Sequence, residues 1–318
     1  MRLLRDGDAH QRPEASVMAI GVFDGLHLGH QKVLEHVRQM GLEHGALATV
    51  VTFDPHPALT LAPDRAPLQL ATLEQRIEGL GRLGIEQVRV VTFDEILAQE
   101  SARSFVERVL VGELGVRDIV VGEDFVFGHG REGSVETLRL EGRSHGFNVH
   151  PAPIYSAQRR WSSTEVRHAL SRGDLDTATA ILGRPFVLRA EVVHGDARGA
   201  QLGYATANMD LAPRQQLPSI GIYAGAIKMA DHSWWPAAIS VGTRPQFYEN
   251  GELLVEVHVP GFRGDIYGEQ VDVAFLSRLR GETKFADTVA LVAQIGADVE
   301  RTLDIYSKFT PRASALLG

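Results

Sequence analysis

Apolar residues over the first 180 positions fall into two alternating textures. Short runs rich in β-branched residues, Val17–Val22, Ala46–Phe53, Gln87–Thr92, Asp118–Val121 and Asn148–Pro151, read as buried strands. Between them, His30–His44, Leu73–Leu83, Ala102–Leu114 and Ser134–His145 carry apolar residues at helical spacing. Thr72, with Gln75 three residues on, has the form of a capping box. Strands separated by helices predict right-handed βαβ crossovers and a parallel sheet covered on both faces. Thr164–Ser171 and Leu175–Leu182 are expected to be helices closing this unit, and the polar first 16 residues to be loose.

After Gly183-Arg184-Pro185 the pattern changes. Leu188–His194, Ile222–Met229, Pro236–Val241, Leu253–His258 and Gln270–Phe275 read as strands joined by Gly-, Pro- and Asn-bearing turns, and helical spacing returns only over Thr283–Tyr306. Consecutive strands and one terminal helix predict an antiparallel sheet closed or nearly closed into a barrel. The expected division is 1–184 and 185–318.

Composition narrows the chemistry. The 318 residues are 44% hydrophobic and 23% charged, ordinary for a folded chain of about two domains. There is no cysteine, which removes disulfides, thiolate nucleophiles and Cys-based metal sites. Only Lys32, Lys228, Lys284 and Lys308 are lysines among 32 basic residues, and none forms a G-x-x-x-x-G-K-[ST] loop. Phosphates would have to be held by backbone amides, arginines and histidines. A net charge of −8 argues against non-specific nucleic-acid binding. No run approaches 18 apolar residues and the start lacks a signal-peptide core, so no membrane span and a cytoplasmic protein are expected.

Gly21-Val22-Phe23-Asp24-Gly25-Leu26-His27-Leu28-Gly29-His30 follows the first strand and opens the first helix. Ligands of open α/β sheets sit at the carboxyl ends of strands, where a helix N-terminus offers unpaired amides to an anion. Gly25 and Gly29 permit close backbone approach, and His27 and His30 can both donate to one phosphoryl oxygen. By themselves the histidines also read as a cap and a surface residue, and His-x-x-His as half a metal site without an evident third ligand. Further on, Arg160-Trp161-Ser162-Ser163-Thr164-Glu165-Val166-Arg167 sets hydroxyls at a helix start between arginines.

The H-x-G-H segment resembles the nucleotidyltransferase superfamily, and the whole chain, over roughly residues 15–308, resembles the bacterial bifunctional riboflavin kinase/FMN adenylyltransferase family. Shared segments are Thr52-Phe53-Asp54-Pro55-His56-Pro57, Thr92-Phe93-Asp94, Gly122-Glu123-Asp124-Phe125-Val126-Phe127-Gly128 and the Ser163-Thr164-x-x-Arg167 run. The resemblance implies a Rossmann-like nucleotidyltransferase domain with a parallel sheet, then an antiparallel β-barrel and a C-terminal helix. It implies that the first domain adenylylates FMN to FAD. His27 and His30 would steady the α-phosphoryl charge; Gly21, Phe23, Asp24, Gly25, Gly29, Arg160, Ser163, Thr164 and Arg167 would bind ATP. Asp54, Pro55, His56, Asp124 and Phe125 would form the flavin or phosphate environment, with Asp124 standing where many relatives have Asn.

In the second half, His194-Gly195-Asp196-Ala197-Arg198-Gly199-Ala200-Gln201-Leu202-Gly203-Tyr204-Ala205-Thr206-Ala207-Asn208 reads equally as turns or as a phosphate loop. Alternate residues of an extended segment face one side, so Thr206 and Asn208 could reach one Mg²⁺–phosphate. The resemblance makes this the Mg-ATP segment of a riboflavin kinase, with Gly195, Gly199 and Gly203 in its loop. It makes Glu256 the base for the flavin hydroxyl, although a strand glutamate alone reads as a solvated outward side chain. Phe262 and Tyr267 would cover the flavin. The family pattern is broken at Ala205 (proline elsewhere), at Gln246 within Arg244-Pro245-Gln246-Phe247, and at Gly261 before Phe262. Two alternatives follow: an adenylyltransferase whose barrel only binds flavin, and a non-catalytic flavin sensor. Implied small molecules are riboflavin, FMN, FAD and ATP, with Mg²⁺.

Overall fold

The structure is a computed structural model describing residues 1–8, 14–152, 161–195, 199, 202–243 and 253–309. The chain forms two compact units: Met1–Pro67 with Arg76–Arg160, and Leu68–Gln75 with Trp161–Gly318.

The first unit is built on β1 (Arg2–Leu4), β2 (Ser16–Ile20), β3 (Leu47–Asp54), β4 (Gln87–Thr92), β5 (Val116–Val121) and β8 (Asn148–Pro151). They form one sheet in the order β1-β4-β3-β2-β5-β8, every pairing parallel. Central β2 is buried at all five positions, as a strand covered on both faces must be. The helix Leu28–His44 ends at Gly45 in the left-handed conformation (φ 60°), and Val135–His145 starts with a Ser134/Thr137 capping box. A small hairpin of β6 (Val126–Phe127) and β7 (Gly133–Ser134) follows β5.

Three expectations change here. Residues 1–8 are not loose: β1 pairs with β4, and Asp6 bonds both the Arg89 guanidinium (2.6 Å) and the Thr92 N–H (2.8 Å), while residues 9–13 lie outside the described residues. A three-residue edge strand is too short to show a period. The expected helix Ala102–Leu114 is α-helical only over Ala102–Phe105 and continues as π-helix over Val106–Glu113, with Val106, Val109 and Leu110 buried. The helices Ser163–Ser171 and Leu175–Leu182 exist, but Val166, Leu170, Ala178 and Ile181 share a core with the second unit's barrel.

That barrel is closed and antiparallel, in the order β10-β13-β12-β11-β14-β9. Its strands are β9 (Phe186–Val193), β10 (Thr206–Asp210), β11 (Gly221–Lys228), β12 (Trp234–Thr243), β13 (Leu253–His258) and β14 (Gln270–Arg280). Leu188, Tyr223, Ile239, Val255, Val257, Val273 and Phe275 fill the interior. Strand β10 carried no signal because Thr-Ala-Asn-Met-Asp mixes polar and small residues. The C-terminal helix Thr288–Ser307, capped by Asp287, is tied to the barrel by Arg280 to Asp298 (2.9 Å) and by the Tyr306 hydroxyl donating to the Trp234 carbonyl (2.7 Å).

Candidate active sites

In the first unit the chain leaves β2 through Gly21 and Val22 and turns sharply. Phe23, Gly25 and Leu26 all have positive φ (55°, 76° and 43°), a conformation that two of these three residues adopt at a cost. The short turn Asp24–Leu26 is buried and delivers His27 as the cap of the helix Leu28–His44. His27 Nδ1 accepts the His30 backbone N–H at 3.3 Å, so the neutral ring carries its proton on Nε2. The two imidazoles stack, with centroids 3.6 Å apart and planes 20° apart, and Phe23 meets His30 edge-on at 5.2 Å. Among the described residues, His30 Nδ1 is enclosed without a hydrogen-bond partner. Burial, and after it the adjoining His27 ring, hold His30 well below the usual imidazole range.

Other carboxyl ends of the sheet supply the rest. Beyond β3, Asp54 precedes a cis peptide to Pro55, and His56 Nδ1 caps the helix Pro57–Leu61 by accepting the Ala58 N–H at 3.0 Å. Beyond β5, Asp124 is exposed and Phe125 stacks on Phe127 with centroids 5.4 Å apart. Phe127, Phe105, Phe53 and Phe93 continue this as a chain of rings at 6.2, 6.3 and 5.8 Å. Phe105 belongs to the first unit's core, and Phe53, Phe125 and Phe127 pack against it, so the row carries that core out toward Asp124.

The serine–threonine run lies at the start of the helix Ser163–Ser171. Its cap is Ser162, whose Oγ accepts the Glu165 N–H at 3.2 Å, so capping does not account for Ser163 or Thr164. Thr164 is exposed, and Arg167 Nε donates to the Leu68 carbonyl. Arg160 lies outside the described residues.

The second unit contains a cavity of about 690 Å³ on the outer face of the barrel, roofed by Leu291, Ile295 and Val299 of the C-terminal helix. Gly195, Gly199, Thr206, Asn208 and Glu256 line it. Antiparallel register sets Asn208 directly opposite Glu256, and the Thr206 hydroxyl donates to Glu256 Oε1 at 3.4 Å. Glu256 does point outward, but here the outside of the barrel is covered. A Cβ on Gly199 would lie 2.3 Å from the Tyr204 carbonyl, a backbone clash that keeps this position glycine, and one on Gly195 would lie 1.8 Å from Asn208 Nδ2 and force that side chain to move. Hydroxyl, amide and carboxylate oxygens make a donor set that fits a hard divalent cation shared with phosphates. Among the described residues no group of three or more His, Asp or Glu side chains could cage a metal by itself.

Gly203, Phe262 and Tyr267 are not part of this lining. Gly203 occupies a left-handed turn (φ 87°), Phe262 packs edge-on against Trp235 (5.4 Å), and half-exposed Tyr267 stacks on His194 (3.7 Å).

A family model described as FAD synthetase matches residues 9–165, and one described as riboflavin kinase matches residues 182–306. Curated bifunctional riboflavin kinase/FMN adenylyltransferases are similar along most of their length. That of Pseudomonas fluorescens is 39% identical over 94% of this chain and 96% of its own. Those of Bacillus subtilis (34%; 92% and 93%) and Escherichia coli K12 (36%; 94% and 96%) follow. The chain belongs to the bifunctional riboflavin kinase/FMN adenylyltransferase family. A solved structure titled as a macrolide-efflux protein from Streptococcus pneumoniae superposes with a TM-score of 0.84 at 31% identity, covering 96% of this chain and 99% of that one.

Two of the three departures from the family pattern have local explanations. Ala205 lacks proline's fixed φ, yet His258 Nδ1 donates to its carbonyl at 2.7 Å and Tyr204 packs edge-on to the same ring at 5.3 Å. Gly261 has φ 78° with open space at its Cβ position, so it serves a left-handed turn. Gln246 lies outside the described residues.

Sequence reasoning missed Arg280 and Asp298, which line the kinase-like cavity and pair with each other, and buried Arg76 beside the histidine turn. Only Arg76 left a trace: a basic residue in the Leu73–Leu80 apolar stripe.

Proposed function

We propose that this chain makes flavin nucleotides in two separate centres: riboflavin is phosphorylated to FMN at the barrel, and FMN is adenylylated to FAD at the parallel sheet. The functional division follows residues 1–184 and 185–318. The observation that carries the reading is the alignment of Thr206, Asn208 and Glu256 across neighbouring strands inside one covered cavity.

In the barrel, Glu256 takes the proton of the terminal ribityl hydroxyl as that oxygen attacks the γ-phosphorus of ATP, releasing ADP. Thr206 and Asn208 hold the triphosphate and would hold Mg²⁺, which neutralises phosphate charge when bound. Gly195 and Gly199 let backbone approach the phosphates, and Leu291, Ile295 and Val299 give the ring system an apolar wall. Gly203 belongs to the same glycine-bearing segment; Phe262 and Tyr267 act at the margin of the site.

At the sheet, an FMN phosphate oxygen attacks the α-phosphorus of ATP and pyrophosphate leaves. His27, protonated on Nε2, donates to the α-phosphoryl oxygen as charge grows there, with His30 stacked behind it as a neutral ring. The strained turn Gly21–Gly25 and Gly29 bring backbone N–H groups to the phosphates, while Arg160, Ser163, Thr164 and Arg167 bind the triphosphate. Asp54, Pro55, His56, Asp124 and Phe125 form the FMN side of the site. The work takes place in the cytoplasm, where ATP is supplied. Among the described residues no helix is long and apolar enough to cross a membrane.

Riboflavin, or FMN, incubated with Mg-ATP and resolved by chromatography tests both halves. Wild type makes FMN from riboflavin and FAD from supplied FMN, and His30→Ala loses only the second. Absence of FAD from wild type, or an unchanged rate in His30→Ala, would refute the assignment.

A further inference from the structure

Arg76 sits in the first turn of the helix Leu73–Arg82 with 2% of its surface exposed. Burying a guanidinium is expensive unless its N–H groups are met, and the acceptors it has found are unusual. Nη1 reaches the Val22 carbonyl at 2.9 Å, the Thr52 hydroxyl at 3.3 Å and the Phe53 carbonyl at 3.4 Å. Nη2 reaches Asp54 Oδ1 at 3.5 Å.

Val22 is the last residue before Phe23, where the backbone enters its left-handed turn toward His27 and His30. Phe53 and Asp54 end β3 and lead into Pro55 and His56. One planar cation therefore grips two of the chain segments that carry candidate adenylyltransferase residues. The Thr52 hydroxyl donates to the same Val22 carbonyl at 3.2 Å, so that oxygen is held from two sides just where the strain begins. Asp54 keeps 41% of its side chain in solvent, so the link ends at the open side of the sheet rather than in the core.

We propose that Arg76 is a positioning residue for adenylyl transfer: its guanidinium fixes the histidine turn relative to the Asp54-Pro55-His56 turn. The proposal rests on the adenylyltransferase reading of the first unit. Only a forked, planar donor reaches these acceptors together; a lysine ammonium is a compact point charge on a stem of different shape. A displacement of about 1 Å at a phosphoryl-transfer site costs on the order of a hundredfold in rate, so loss of the fork should register in turnover before it registers in folding.

The test uses the full chain and both activities in one sample. Arg76→Lys should form FAD from FMN at least about tenfold more slowly than wild type, the loss falling on kcat more than on the KM for ATP. Riboflavin phosphorylation should be unchanged. Arg76→Ala should show a deeper loss that millimolar guanidinium or methylguanidinium partly restores. Wild-type kcat for FAD formation in Arg76→Lys would overturn the proposal. So would parallel loss of both activities with no guanidinium rescue, since that is what a purely structural arginine does. Absence of FAD formation in wild type would instead overturn the reading on which the proposal rests.

Discussion

The His27 and His30 imidazoles lie face to face with centroids 3.6 Å apart, and one ring's acceptor nitrogen caps the backbone of the other. Stacking at that distance disfavours two charges, and capping assigns the His27 proton to Nε2. His30 is left neutral with its Nδ1 enclosed, burial being the larger cause of its lowered pKa and His27 the smaller.

A lowered histidine pKa has a defined sign in stability. Below about pH 6.5 the unfolded chain binds a proton at His30 that the native chain refuses, so stability falls as pH falls from there toward the lowered native value. The slope from this one group is at most about 1.4 kcal/mol per pH unit. His30→Gln should flatten the dependence of the urea midpoint between pH 7.5 and 5.5. Equal slopes in the two proteins would show that His30 is not held neutral.

Gly195→Ala places a methyl group where Asn208 Nδ2 now lies, 1.8 Å from the ideal Cβ position. Asn208 must move, and phosphorylation of riboflavin should drop on the order of a hundredfold. FAD formation from supplied FMN should stay within about twofold, because the other centre is untouched. Both rates come from one chromatogram.

Asp298, nearly buried, receives Arg280 at 2.8 and 2.9 Å and Gln294 at 3.0 Å. Asp298→Ala leaves the Arg280 charge without its partner beneath the C-terminal helix, a change worth about 3 kcal/mol of stability. The expected readout is a lower urea midpoint with weaker riboflavin phosphorylation. An unchanged midpoint would mean that the helix is held by its apolar contacts alone.

How much of this was legible beforehand depended on sequence distance. The parallel sheet, the barrel and the terminal helix follow from periodicities within single segments, and the capping box at Thr72 and Gln75 closes as its spacing requires. His27 and His30 were readable because one turn of one helix holds both. Glu256 alone was not: its meaning comes from Asn208 across the strand pair and from a helix some 35 residues later that covers them. Arg76 was harder still, since its acceptors lie 54 and 22–24 residues away and only the folded sheet brings Val22 beside Asp54. The helix Ser163–Ser171 shows the converse: its amphipathic pattern announced a buried face without saying which core would receive it.

The most direct test of two separate centres is Glu256→Gln assayed for each product in turn. The account predicts that FMN formation from riboflavin falls about 10²–10⁴-fold, the range for losing a general base. FAD formation from supplied FMN should remain at the wild-type rate. FMN formation that persists in this variant, or a matched fall in both products, would contradict it.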